Sequence, residues 1–384
     1  MTDPALTIEE LPIPTSLTTD DVTATDANDA AAGAAASAAD FVAMVAVRNA
    51  VEAEIIGSDA LAYGASELLP LYQNQEYDPK RILVARLDGQ IVGRGVFEWP
   101  VEAEEGVRIA WISAEVLSSF RGRGIGTALV DRLEEMARAD NRMTWQTYLM
   151  HTNPPEAAGT DRLASPTGFG SVAMSDPGVR FLQRRGYRLE QIERISFLDL
   201  PIDPGELARH RGEAERAAGT DYRIVRWQGR TPERWIADLV TLRTRMSTDM
   251  PSAGMDVVEE AWTADRIAKH EAGDEAGGRE ILTVAAEHVP TGTLAGFSQL
   301  SIPSDRSRPV SQEDTLVLSE HRGHRLGMLL KIANIQHLAE VNPSSPLISA
   351  FNAEENRHML DVNEAVGFRA VGVEGAWKKE APNV

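Results

Sequence analysis

Apolar and polar positions along the chain predict two similar series of helices and strands. Apolar residues recur at helical spacing over 41–57 and 60–72, and they form strand-like runs over 82–85, 91–99 and 109–112. The pair Asp88-Gly89 between the first two runs predicts a hairpin turn. A helix over 125–136, a strand over 143–150, a short helix over 179–185 and a strand over 196–200 complete the first series.

The second series repeats this order after a polar stretch. It contains predicted strands over 222–227, 281–286, 294–302, 313–318, 347–351 and 370–377, and predicted helices over 232–247, 257–270, 326–338 and 355–366. In both series a helix is followed by Gly-Tyr or Gly-Phe and then a strand, at Gly186-Tyr187 and Gly367-Phe368. The repetition predicts two copies of one fold in tandem.

Each series also contains a glycine-bearing loop between a strand and a helix. The first loop begins at Arg121 and the second at Arg322, about 200 residues later. Glycine lets the backbone approach a ligand closely, and a helix N-terminus directs unpaired N–H groups and the positive end of its dipole at that ligand. Both loops therefore predict a cradle for a pyrophosphate group.

The strand, the RxxGxG loop and the helix, with the Gly-Phe or Gly-Tyr landmark, resemble the general N-acetyltransferase (GNAT) superfamily over nearly all of residues 41–380. Arg121, Gly124 and Gly126 match the loop signature of the family. The resemblance implies an α/β (α+β) fold of two tandem GNAT-like domains, each with a mixed, mostly antiparallel central sheet flanked by helices. This arrangement is reminiscent of mycothiol synthase-type proteins.

The resemblance also implies that acetyl-CoA is the cosubstrate and that each half has a cofactor site at the strand end and the loop. In the first half these residues are Val116, Leu117, Ser118, Arg121, Gly122, Arg123, Gly124, Ile125, Gly126 and Thr127. In the second half they are Leu316, Val317, Leu318, Arg322, Gly323, His324, Arg325, Leu326, Gly327, Asn352 and Asn356. Asn352 and Asn356 are alternatively a loop residue and a helix start.

Acetyl transfer to an amine requires a neutral amine, a hydrogen-bond donor to the thioester oxygen and a proton for the leaving thiolate. In the resembled family a carboxylate on the fourth strand is often the base, and a backbone N–H there is the donor. The candidate bases are Glu115 and Asp314, with Glu313 and Glu320 as alternatives to Asp314. Strand alternation predicts that Glu313 and Asp314 lie on opposite faces. For each candidate, the alternative is a solvent-facing carboxylate at a strand end.

Both halves depart from the family at the residue expected to protonate the thiolate. The family commonly has a Tyr four residues before the Gly of the landmark, but Leu182 and Asn363 occupy those positions here. Leucine cannot donate a proton, and an amide hydrogen-bonds without being an acid of useful strength. In the second loop, Arg325 replaces the first glycine of the signature, and we expect it to take helical dihedral angles and either grip a phosphate or block the backbone approach.

Composition narrows the range of partners. The net charge of −20 argues against general nucleic-acid binding, and the absence of cysteine excludes a cysteinyl acyl-enzyme and a cysteine metal site. Local positive charge for CoA is expected at the loops, from Arg121, Arg123, His321, Arg322, His324, Arg325 and Lys331. We expect no metal, since His321 and His324 have no third ligand in view along the chain.

The chain divides into predicted segments. Residues 1–40 lack Lys and Arg and predict a flexible acidic, Ala-rich tail, although the alanine run could extend the next helix. The N-terminal domain is expected at 41–200, a linker at 201–220 and the C-terminal domain at 221–384. No signal peptide or membrane span is evident, so a cytoplasmic location is expected.

The function expected from the resemblance is an acetyl-CoA-dependent N-acetyltransferase that acts on an amine of a small molecule or peptide by direct attack on the thioester. An alternative is a CoA-binding sensor or structural protein in which one or both halves are catalytically silent. A further alternative is that the half that departs more from the family pattern serves mainly as an interface in a homo-oligomer.

Overall fold

The computed structural model of the protein describes residues 6–17, 27–102, 108–152 and 161–382. The strands of the first half are β1 (Leu6–Leu11), β2 (Lys80–Leu87), β3 (Gln90–Glu98), β4 (Ile109–Val116), β5 (Thr144–Thr152), β6 (Arg162–Ala164), β7 (Ser171–Ala173) and β8 (Arg188–Asp199). Its helices are α1 (Ala27–Ile56), α2 (Ala65–Gln73), α3 (Ile125–Ala139) and α4 (Pro177–Arg184). As predicted, β2 and β3 form a hairpin whose turn residues, Asp88 and Gly89, both have positive φ.

The second half repeats the same series. Its strands are β9 (Tyr222–Gln228), β10 (Glu280–His288), β11 (Thr293–Ile302), β12 (Val310–Val317), β13 (Leu347–Ala353) and β14 (Arg369–Glu380). Its helices are α5 (Pro204–Ala218), α6 (Ile236–Asp249), α7 (Ala264–Ala276), α8 (Leu326–Val341) and α9 (Arg357–Val366). The predicted class, two GNAT-like halves with mixed and mostly antiparallel sheets flanked by helices, is confirmed.

The two halves share one 12-stranded sheet because each contributes a strand to the other. The order is β1-β2-β3-β4-β5-β14-β8-β13-β12-β11-β10-β9. The last strand of the chain, β14, lies beside β5 of the first half, and β8 of the first half lies beside β13. The expectation that residues 196–200 close their own unit is therefore wrong. Residues of the two halves are buried together at the junction, including Trp377 and Phe197.

Helices cover both faces of this sheet. Helices α1, α2, α6 and α7 pack on one face, called the α1 face below. Helices α3, α4, α5, α8 and α9 pack on the other, called the α3 face. The parallel pairs β4–β5 and β12–β13 lie in equivalent places in the two halves.

Two segments that were predicted to lack regular structure are ordered. Residues 6–11 of the predicted tail form β1, which pairs with β2 along its full length and buries Leu11. The predicted linker holds α5, which Asp203 caps by accepting from the N–H groups of Gly205 and Glu206. Small residues on one face of α5, including Ala214 and Ala218, pack against the core of the second half. The charged remainder of α5 made it resemble a linker.

Candidate active site

The first loop exposes the N-terminus of α3. After β4, a single 3₁₀ turn spans Ser118–Phe120, and Gly124 ends the loop with a left-handed φ of 81°. The first intrahelical bond runs from the N–H of Ala128 to the carbonyl of Gly124, at 3.0 Å. A side chain added at Gly126 would meet only Val116, at 3.8 Å. The backbone is thus open to a ligand at the helix end, as the sequence predicts.

Arg121 braces this loop. Its Nε donates to the carbonyl of Val116 at 2.8 Å, and its two Nη atoms donate to the carboxylate of Glu54 on α1 at 2.9 and 2.8 Å. Arg123 donates to the carbonyl of Ser119 and lies over the ring of Phe120. The loop therefore depends on its arginines for shape, and an anionic ligand would have to share Arg121 with Glu54.

The second loop has the same backbone conformation. Arg322 donates through Nε to the carbonyl of Val317 at 3.1 Å, and its Nη2 pairs with Asp249 at 2.7 Å. At the N-cap of α8, Arg325 has a φ of 56°, equivalent to that of Gly124. The expectation of helical dihedral angles at Arg325 is therefore wrong. Its Nη1 lies 3.1 Å from Glu213 on α5, so the side chain is drawn toward α5.

Two of the groups predicted to supply positive charge at this loop do not do so. His321 packs against Tyr222, whose hydroxyl lies 3.0 Å from its Nδ1, and desolvation lowers the pKa of His321. Lys331 lies inside the α3 face, 2% exposed, with its Nζ 3.2 Å from Oε1 of Gln312. Burial lowers the pKa of Lys331 to about 7. Helical periodicity turned Lys331 inward, away from the loop.

A gap opens beside each loop where the parallel strands separate. β4 and β5 are paired at three positions, from Ile109 to Trp111, and β12 and β13 at two, Val310 and Ser311. Beyond these residues the two strands of each pair diverge. The N–H groups of Leu117 and Leu318 donate to the neighbouring strands β3 and β11, each at 3.0 Å, so these strand ends remain fixed.

β12 differs from β4 by a β-bulge. Ser298 of β11 pairs with Thr315 while Leu300 pairs with Gln312, so Glu313 and Asp314 together face one residue of β11. β4 pairs with β3 in unbroken register. The extra residue puts both Glu313 and Asp314 on the α1 face, so the prediction that they lie on opposite faces is wrong. A bulge also leaves backbone groups outside the ladder.

The predicted bases Glu115 and Asp314 are both in ion pairs. Both carboxylate oxygens of Glu115 accept from Arg94, which is itself buried and bonded to the hydroxyl of Tyr72 at 3.1 Å. Asp314 pairs with Arg243 of α6. These contacts are those of structural ion pairs, and they hold β4 to β3 and β12 to α6.

Glu313 lies in a different environment from Glu115 and Asp314. It is exposed to a cleft, yet the protein around it desolvates it and raises its pKa to about 7, with a further contribution from the charge of Asp314. Glu320 is more exposed and accepts from the hydroxyl of Ser319 at 3.0 Å, and hydrogen bonds hold its pKa below the usual value. Of the carboxylates considered in the second half, Glu313 has the properties of a base near neutral pH.

The cleft beside Glu313 is an open cavity of about 150 Å³ where β12 and β13 separate. Both halves contribute to its wall. The first half supplies Arg48, Ala60, Leu61, Ala62, Tyr63 and Met150, and the second supplies Arg279, Arg308, Pro309, Ser311, Gln312, Glu313, Ser349 and Phe351. Sequence patterns did not single out Arg48, Tyr63, Arg279 or Arg308, because the cavity forms where residues of both halves meet.

The asparagines of the second half take separate roles. Asn356 caps α9 by accepting from the N–H of Met359, which is the helix-start alternative. Asn352 of β13 accepts from Nδ2 of Asn363 at 2.6 Å, and Oδ1 of the buried Asn363 has no hydrogen-bond partner within the described residues. In the first half, the equivalent Leu182 is buried in the apolar core.

Within the described residues, no group of three or more His, Cys, Asp and Glu side chains is placed to hold a metal ion. In the same part of the chain, no helix is both long and apolar enough to cross a bilayer.

The chain is similar to known proteins of the GNAT family in sequence over part of its length and in fold over nearly all of it. The model of the acetyltransferase (GNAT) family matches residues 53–157, which include the first loop. A tandem GNAT protein from the clavulanic acid biosynthesis pathway, solved without AcCoA, is similar with a TM-score of 0.70 and 23% identity, over 99% of this chain and 100% of that one. Among curated proteins, no sequence is similar enough to match the chain.

Two further solved structures share the fold. A GCN5-related N-acetyltransferase from Sphaerobacter thermophilus is similar with a TM-score of 0.56 and 14% identity, over 89% of this chain and 94% of that one. The glucosamine N-acetyltransferase region of a fungal multi-domain GH3 β-N-acetylglucosaminidase is similar with a TM-score of 0.57 and 15% identity, over 99% of this chain and 38% of that one. The resemblance to the GNAT superfamily in a tandem arrangement is confirmed, and the matches support acetyl transfer in general.

Proposed function

We propose that the protein is an N-acetyltransferase that transfers an acetyl group from acetyl-CoA to an amine of a small molecule or peptide, and that the second half carries out the transfer. The observation that carries this proposal is the bulge in β12, the strand that leads into the second glycine-bearing loop, together with the open cleft that Glu313 lines. The first half has the loop but no bulge, and its candidate base is held by Arg94.

Acetyl-CoA would supply the acyl thioester, and the residues of the second half fit its parts. The N-terminus of α8 suits a pyrophosphate, since no side chain caps it and a Cβ at Gly327 would have no neighbouring atom within 4 Å. Gly323, His324 and Leu326 complete this cradle, and Leu316, Val317 and Leu318 form the strand end beside the gap. Asn352 and Asn363 offer polar groups on the α3 side of the same gap.

Glu313 would accept a proton from the amine. The amine nitrogen attacks the thioester carbon, the C–N bond forms as the C–S bond breaks, and CoA leaves as a thiolate that takes up a proton from solvent. A backbone N–H at the bulge would stabilise the charge that develops on the thioester oxygen. A base with a pKa near 7 is partly ionised at neutral pH and still strong enough to accept the proton.

The first half has a second candidate role as a site that binds CoA without transferring the acetyl group. Leu182 replaces the expected acid there, and Glu115 is bound at both oxygens. In this proposal Val116, Leu117, Ser118 and the loop from Arg121 to Thr127 hold the cofactor for structural or sensing purposes.

The test is to follow CoASH release and the mass of the product with acetyl-CoA and a broad panel of amines. We expect amine-dependent release and a mass gain of one acetyl group on one class of amine. Binding of acetyl-CoA by calorimetry without release for any amine would contradict an enzymatic role and support the sensor.

A further inference from the structure

The cavity beside Glu313 has a charge pattern that narrows the acceptor. We propose that the acceptor amine also carries a carboxylate group, and that arginines from both halves bind this carboxylate while Glu313 faces the amine. This inference rests on the proposed function for its reaction, but the binding site itself is defined by the cavity wall.

The three arginines of the cavity wall form ion pairs with two carboxylates, those of Glu52 and Glu67, and the third carboxylate on the wall is Glu313. Arg279 and Arg308 share a single carboxylate, that of Glu67, at 3.1 Å and 2.6 Å. Glu67 lies on α2 of the first half and is 3% exposed, so it is fully engaged by these two residues of the second half. One carboxylate between two guanidinium groups leaves an excess of positive charge at the cavity wall.

Arg48 adds to this excess from the other side of the cavity. Its Nη2 lies 2.7 Å from Oε1 of Glu52, but burial raises the pKa of Glu52 to about 7, so this partner is only partly ionised near neutral pH. The ring of Tyr63 lies between two guanidinium groups, with Arg48 at 5.0 Å and Arg279 at 4.9 Å from its centroid. This stacking holds both cations toward the cavity.

Such a concentration of arginine stands out in a chain with a net charge of −20. Arginine binds carboxylates through two parallel N–H donors, a geometry that favours a carboxylate over a neutral amide. Arg308 is the most accessible of the three, with 29% of its side chain exposed, compared with 17% for Arg48 and 6% for Arg279. A ligand carboxylate at Arg308 would share its Nη donors with Glu67 and with the carbonyl of Ala62.

The rest of the wall fits a small amino acid or a short peptide with a free carboxylate. Met150 and Phe351 give apolar surface between the charged groups, and Ser311 and Ser349 give hydroxyl groups. The cavity volume of about 150 Å³ far exceeds the roughly 10–15 Å³ needed by one water molecule, so it can hold a small organic group.

The experiment compares matched acceptors and matched variants. Wild-type protein is titrated by calorimetry with a panel of α- and ω-amino acids and with the carboxamide of each, and the same pairs are assayed for acetyl-CoA-dependent CoASH release. The variants are Arg308→Gln and, as a control in the same loop, Arg306→Gln. Arg306 is exposed and pairs with Glu280 at the surface, away from the cavity wall.

We expect at least one amino acid to bind about tenfold or more tightly than its carboxamide, because a charge-assisted pair with arginine is lost in the amide. In Arg308→Gln the ratio of the affinity for the amino acid to the affinity for its carboxamide should fall to about one, while in Arg306→Gln this ratio should remain that of wild type. Arg308→Lys, which keeps the charge, should retain part of the preference and serves if Arg308→Gln does not fold.

The outcomes separate this inference from the proposed function. Carboxylate-dependent binding without any CoASH release would support the site and contradict the transferase. CoASH release with equal or better use of the carboxamides in wild-type protein would support the transferase and overturn the carboxylate site. The wild-type comparison needs no variant to fold.

Discussion

The two halves have nearly the same glycine-bearing loop and very different surroundings at the strand before it. Gly124 and Arg325 both end their loops in the left-handed region, and Arg121 and Arg322 both bond to the carbonyl of a strand end. In contrast, β4 is regular and its Glu115 is locked to Arg94, whereas β12 is bulged and Glu313 faces an open cavity. The loop is thus kept in both copies, while the arrangement suited to proton transfer occurs in one.

This difference teaches that the glycine-bearing loop and the strand before it vary independently. The loop needs only a tight backbone turn, which even Arg325 achieves at a strain cost of about 1–2 kcal/mol. The role proposed for β12 needs an extra residue in the ladder, a carboxylate outside an ion pair and an open gap. Each of these features can be lost without disturbing the loop.

The largest expected effect comes from exchanging the two candidate carboxylates for amides. Glu313→Gln should lower kcat by about 10²–10⁴-fold because it removes the general base, while Glu115→Gln should change kcat by less than about threefold. In wild-type protein, kcat/KM should rise with pH up to about 7, since Glu313 must be ionised. Steady-state CoASH release measured over a range of pH reports both effects. A larger loss of kcat in Glu115→Gln than in Glu313→Gln would contradict this assignment and indicate that the general base lies in the first half.

The next effect concerns the residues four positions before the Gly landmark. Asn363→Leu copies Leu182 into the second half and removes the hydrogen bond to Asn352. We expect acetyl-CoA binding to weaken by about 3–10-fold, which corresponds to the loss of one or two hydrogen bonds. The matched variant Leu182→Asn should leave affinity unchanged. Calorimetry measures both, and an unchanged affinity in Asn363→Leu would remove the asparagine pair from the cofactor site.

A raised pKa has a different meaning at the junction of the halves. On β14, burial and the neighbouring carboxylates of Glu193 and Glu52 raise the pKa of Glu374 to about 8. Arg48 and Glu115 act on it more weakly, in opposite directions. Glu374 is half-buried between strands, away from the cavity wall, so its shift is a cost to folding.

This cost predicts a pH-dependent stability. The folded state holds the proton of Glu374 up to about pH 8, whereas the unfolded state releases it near the ordinary glutamate pKa of 4.5. Stability should therefore fall as pH rises from about 4.5 to 8. Glu374→Gln should be more stable than wild type at pH 8.5 by on the order of 1–2 kcal/mol, with little difference at pH 5. Denaturant unfolding at the two pH values is the measurement, and parallel curves would contradict the assignment.

The smallest effect is expected at Arg325, which stands where the first loop has Gly124. Arg325→Gly restores the glycine found at Gly124, relieves the left-handed strain and loses the contact with Glu213. Since the side chain is drawn toward α5, acetyl-CoA affinity should change by less than about threefold. A larger loss of affinity, measured by calorimetry, would show that the guanidinium binds a phosphate directly.

The sequence predicted the repeated elements well because they depend on local patterns. The loops, the Asp88-Gly89 hairpin and the left-handed Gly186 and Gly367 after helices α4 and α9 all follow from neighbouring residues. The tandem order followed from the similarity of the two series.

Features that depend on distant contacts could not be predicted. A strand pattern does not say which partner it pairs with, so the exchange of β8 and β14 was missed. The bulge at Glu313 depends on register with β11, and the arginines of the cavity come together only when the halves meet. The contacts of α5 with the core of the second half are also distant in sequence, so its charged residues made the segment resemble a linker.

The most direct test of the account blocks one loop at a time. A Cβ at Gly126 has one neighbouring atom within 4 Å and a Cβ at Gly327 has none, so Gly126→Trp and Gly327→Trp introduce no clash at the first side-chain atom while each adds an indole at a helix N-terminus. Amine-dependent CoASH release is measured for each after folding is checked by circular dichroism. The account predicts that Gly327→Trp abolishes turnover and that Gly126→Trp retains it. Loss of turnover in Gly126→Trp alone would contradict the assignment of the transfer reaction to the second half.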